Sequence, residues 1–80
     1  MYFVLLGRVF ERDSHFLGLY RDRERAVAAA IKEADKEVGG ELYWDGGVSV
    51  IQCDEGGNLY LALGQAVRLY GESGAKWQEY

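Results

Sequence analysis

Only one stretch of this chain repeats its apolar residues with the period of a helix. Val27, Ala30, Ile31, Ala34 and Val38 follow i, i+3, i+4, i+7 and i+11, which forms one stripe on an α-helix. Asp22 stands where an N-cap belongs, because its carboxylate can accept from the free N–H groups of a first turn. Gly39-Gly40 follows the last apolar position and can supply the positive-φ residue that ends a helix. The other face carries Arg25, Ala29, Lys32, Glu33 and Lys36, which suits water. A lone amphipathic helix must bury its stripe against something else, and the rest of the chain reads as strands.

Tyr2 to Phe10 is aromatic and branched on both faces, as in a central strand covered on two sides. Glu11 to His15 reads as a polar loop, and Phe16 to Tyr20 as the second strand of a hairpin. After the helix the period is two. Glu41 to Trp44, Val48 to Cys53, Asn58 to Leu63 and Ala66 to Tyr70 read as strands, with Ala75 to Tyr80 as a last edge strand. Asp45-Gly46-Gly47, Asp54 to Gly57, Gly64-Gln65 and Gly71 to Gly74 read as the turns between them. Leu59, Leu61, Leu63, Val67 and Leu69 are placed inward. The expected fold is α+β, one amphipathic helix packed on an antiparallel sheet, in the order ββα followed by a β-meander. With 80 residues, a single domain spanning 1–80 is expected.

Several chemistries find little support. One His, one Cys and no Pro leave no disulfide framework and no His/Cys zinc site within one chain. Asp54-Glu55 lacks the alternating spacing of a calcium loop. His15 lies beside Ser14 and Asp13, but neighbours in one loop rarely converge on a reacting atom. Cys53 closes an apolar strand and reads as a small hydrophobe. No glycine run precedes a Lys-Ser/Thr pair or opens a helix, so no phosphate or dinucleotide loop is read. The expectation is no enzyme, no cofactor and no metal. No run of about 18 apolar residues occurs, and Met1 to Phe10 is too short for a secretory signal, so a cytoplasmic protein without a membrane partner is expected.

Charge says more. Residues 1–32 carry a net +2 and residues 33–80 a net −6. Backbone affinity for nucleic acid needs a basic groove, so direct binding is disfavoured. A weak single-strand binder using Tyr60, Tyr70 and Arg68 is the reading that would survive it. Meander turns alternate between the two ends of a sheet. On the turns assigned above, Glu37, Glu41, Asp54, Glu55 and Glu72 gather at one end as an acidic pole. Tyr43, Trp44, Trp77 and Tyr80 are many aromatics for so short a chain, and Tyr and Trp are common binding anchors. A protein partner with a basic surface follows, and dimerisation through an open edge strand is a further expectation.

This plan, with its Ala-rich helix stripe and its ending Leu69-Tyr70-Gly71-Glu72-Ser73-Gly74-Ala75-Lys76-Trp77, resembles small phage anti-CRISPR proteins. The resemblance covers the order of elements and rests on no motif, so no residue is carried over. It implies a non-enzymatic inhibitor that binds a CRISPR effector complex in the host cell. Its acidic surface would block a nucleic-acid-binding site as a DNA mimic. The alternative is a small α+β interaction or regulatory domain, homodimeric or not, without mimicry.

Overall fold

The fold is that of a computed structural model, which describes residues 1–6, 15–38, 41–42, 47–54, 56, 58–68 and 74–80. The elements run β1 Tyr2–Leu6, β2 His15–Tyr20, α1 Arg23–Ala34, β3 Glu37–Val38, β4 Glu41–Leu42, β5 Val48–Cys53, β6 Leu59–Val67 and β7 Lys76–Glu79. Five strands form one antiparallel sheet in the order β2-β1-β5-β6-β7, with α1 packed on it. The protein is therefore α+β, as its periodicities require. The unit β2–α1–β5 crosses over β1, which slots between its two parallel strands as a split βαβ arrangement.

The helix begins as expected. Asp22 is extended and its Oδ1 accepts from the Glu24 N–H at 3.0 Å. Its end and its buried face differ from expectation. It stops at Ala34 with Asp35 as C-cap, well before Gly39-Gly40, which lie outside the described residues. Two contacts explain the stop. The Asp35 carbonyl accepts from Arg68 Nη1 at 3.1 Å, and its carboxylate Oδ1 accepts from the Ala75 N–H. The helix C-terminus is thus tied to the chain on both sides of the β6–β7 connection, with a cation at the negative end of its dipole. Val38 belongs to β3, not to the stripe.

Ala26, Ala30 and Ala34 form the buried row, and they pack with Val4, Val48, Val50 and Ala66 in one core cluster. Val27 and Ile31 are only half-buried. Alanine ends at Cβ, so an alanine row lets the helix approach the sheet while larger side chains move to its flank.

β1 is an interior strand, but the centre is β5, where Val48, Val50 and Ile51 are fully buried and Cys53 nearly so. Cys53 is the small buried residue its setting promised. His15, placed in a loop by its polar neighbours, opens β2 opposite Leu6.

The largest departure is in β6. Gly64-Gln65 is not a turn, and Leu59 to Val67 is one strand of nine residues. Gly64 is opposite Val50 on one side and Glu79 on the other. A Cβ there would fall 2.7 Å from Trp77 Cζ2 and closer still to the Gln78 carbonyl oxygen. The glycine marks a close approach of two strands, the second ordinary use of glycine in a sheet. The register between β5 and β6 shifts at Val50/Ile51 and again at Gln52/Cys53. Such bulges break the alternation, so Leu61 is 58% exposed and Ala66, not Val67, faces the core. Gly47, just before β5, has φ +85°, and a Cβ there would sit 3.0 Å from the Ala66 carbonyl oxygen.

β3 and β4 pair only with each other and touch no other described element. This small hairpin takes the chain out and back at the end of α1, so β5 starts at the end of the sheet where α1 finishes.

Candidate functional site

The path of the chain separates the acids expected to gather. Glu37 and Glu41 follow the helix C-terminus, at the Leu6 end of the sheet. Asp54 follows Cys53 at the opposite end, where the Met1 amino group donates to the Cys53 carbonyl at 2.9 Å. The length of β5, about 17–20 Å at ~3.3 Å per residue, separates them. The extra β3–β4 hairpin reverses the sense of β5, and the single acidic pole is lost. Asp54 is also employed in its own turn. Its Oδ1 accepts from the Asn58 N–H at 2.9 Å and its Oδ2 from Asn58 Nδ2 at 3.0 Å. Glu55, Glu72 and Tyr43 lie outside the described residues. Of the stacking trio, Arg68 is bound to the Asp35 carbonyl and Tyr70 lies outside the described residues. Tyr60 belongs to β6, whose outer neighbour is β7, not a strand bearing Tyr70.

Trp77 is the expected site residue that the fold gives a setting. β7 is an edge strand, and Trp77 lies opposite Ala66 with its side chain packed against the core cluster. Between it and the flank of α1 runs a cleft of about 300 Å³, walled by Val27, Ala28 and Ile31. One end is bridged by Arg23 Nη2 and Glu79 Oε1 at 2.5 Å. Glu24 completes the lining.

The bridge has a signature in pH. The Glu79 carboxyl is held below its usual range, first by the hydrogen bond from Arg23, then by that cation's charge, then by a hydrogen bond from Trp77. A depressed folded-state value means the bridge contributes above the ordinary glutamate range and is lost as pH falls through the lowered value. Both partners are exposed, so the effect on stability is small. A carboxyl-carbon NMR titration is expected to place the Glu79 midpoint below the ordinary glutamate range. Arg23→Gln should return it toward the ordinary range. An unmoved midpoint in that variant would show that the bridge does not form in solution.

The stripe pattern assigns Val27 and Ile31 to the core and leaves Ala28 out, so it does not single out this flank as a site. The signal was present. Residues 26–31 are apolar without interruption, a wider arc than one buried row uses. Among the described residues no group of three or more His, Cys, Asp or Glu is placed to hold a metal ion, and no helix is long and apolar enough to cross a membrane. Comparison with known proteins finds no matching family model, curated relative or solved structure.

Proposed function

We propose that this chain is a non-enzymatic protein-binding domain that receives its partner at the cleft between α1 and β7. The observation that carries the reading is Trp77, a half-buried aromatic lining a largely apolar cleft on the strand at the edge of the sheet among the described residues. Large rigid aromatics in such positions supply most of the energy of an interface, and surrounding charges set its rate and salt dependence. Inhibition of the anti-CRISPR kind is one form such binding takes. Its acidic surface would then be drawn from Glu37 and Glu41, since Asp54 stands at the other end of the sheet.

Capture from a bacterial lysate holding an assembled CRISPR effector tests both parts. Recovery of the effector that is lost with Trp77→Ala, and kept when Glu37 and Glu41 become Lys, supports docking at the cleft without mimicry. Recovery that is lost with the two Lys substitutions and at high salt supports an acidic mimic. Recovery indifferent to Trp77→Ala, with the variant folded, would remove the cleft from consideration.

A further inference from the structure

From the width of the sheet and the charge of the cleft rim, we infer that the occupant of the cleft is an amphipathic helix of a partner protein, lying beside α1 over β7 with a basic C-terminal turn. This rests on the cleft being the binding site and names what fills it.

The width of the sheet sets the first constraint. Five strands at about 4.8 Å spacing span roughly 20–24 Å, while one helix with its side chains covers about 10–12 Å. α1 lies mainly over β1, β5 and β6. Helices packed side by side keep their axes about 8–10 Å apart, or two strand spacings. A second helix next to α1 therefore lies over β7, where the cleft is. Its neighbours there are already apolar. Val27, Ala28 and Ile31 present a flank of α1 at i, i+1 and i+4, and Trp77 lies beneath.

An extended segment fits differently. The Tyr80 N–H donates to the Leu63 carbonyl at 3.1 Å, so the alternation of an antiparallel ladder turns the backbone groups of Trp77 and Glu79 outward. A strand added there would lie beside β7 and leave the space above it unfilled.

Charge sets the second constraint. Arg23 and Glu79 neutralise one another at one end of the cleft. Glu24 remains, without an ion-pair partner among the described residues, and gives the lining a net negative charge. It sits in the first turn of α1. A helix running antiparallel to α1 brings its last turn to that place. Its own dipole favours Lys or Arg there, so one cation would satisfy both its helix end and Glu24.

The test is a displayed-library selection against the whole protein in two formats. One presents 18-residue helices with a randomised apolar stripe and randomised ends, and the other presents randomised extended strands. Trp77→Ala and Ala28→Arg serve as counter-selections. Ala28 is exposed and arginine is a good helix former, so the second variant keeps its fold if the first does not. The expected result is enrichment of helices with Lys or Arg in the last turn. Their binding should fall about thirtyfold with Trp77→Ala, the loss of a central anchor. Glu24→Lys should weaken them about fivefold, the scale of a rim charge. Enrichment of strands that still depend on Trp77 and Ala28 would overturn the helix and leave the cleft as the site. Enrichment in neither format that depends on these residues would overturn both.

Discussion

Replacing Gly64 by Val is expected to destabilise the protein by about 3 kcal/mol, the upper part of the range for forced overpacking. The cause is local and hard to relieve. The new Cβ would press on the Gln78 carbonyl and approach the Glu79 Cα at 3.0 Å, both of them backbone. The Trp77 ring at 2.7 Å could turn away, but the backbone of β7 has to move as a unit. The measurement is a urea titration with amide exchange read at Tyr80, whose N–H is bonded to the Leu63 carbonyl. A lowered midpoint with faster exchange at Tyr80 is the expected pair of results. The cleft should fail with it, since Trp77 is on the displaced strand, although Gly64 does not line it. An unchanged midpoint and unchanged exchange would mean that β7 is not seated against Gly64.

The second large effect is expected from Ile51→Ala. Among the described residues Ile51 is the largest fully buried side chain, and it lies on the central strand, opposite Phe3 and Ala62. Removing its outer atoms costs the transfer energy of those atoms and leaves a cavity, together about 3 kcal/mol. A domain of this length has roughly 4–12 kcal/mol in all, so the loss takes a large share of it. A urea midpoint that falls with an unchanged slope would be read as lost stability of the same native state. A loss below about 1 kcal/mol, the cost of removing a mostly exposed residue, would contradict its burial.

These two positions also show what a sequence makes legible. Val48 to Cys53 is mostly apolar and lies between two turn-forming stretches, so its bounds as a strand could be read directly. Asp22 and the polar-to-apolar change after it marked the start of α1 for the same reason, because the signals are local. Gly64 carried no local mark that separates a turn from a close approach. The difference is the Gln78 carbonyl, which is distant in sequence. The helix end was misplaced for a similar cause. Asp35 ends α1 through Arg68 and Ala75, and no pattern near Asp35 announces them.

The candidate site was legible only in Trp77. The acidic pole failed on topology, since one unforeseen hairpin, β3–β4, reverses every end that follows. The missing turn at Gly64-Gln65 reverses the sense again, so the β6–β7 connection returned to its expected end while Asp54 did not. Two errors cancelled for one turn and not for the other. Val27 and Ile31 were recognised as one stripe, but the sequence does not say how much of a stripe the sheet can cover.

The place of β1 between β2 and β5 has a consequence for how the protein assembles. On one side β1 meets a strand that follows it closely, and on the other a strand whose last residue is bonded to Met1 across 52 positions. Closing so long a loop costs chain entropy before contacts reward it, and such non-local pairing is what slows small domains. During synthesis the β1–β2 hairpin and α1 leave the ribosome before β5 does. Until Cys53 has emerged, β1 has one open edge. The slow step in making this fold is thereby expected to be the insertion of β5, after which β6 and β7 add by short local connections.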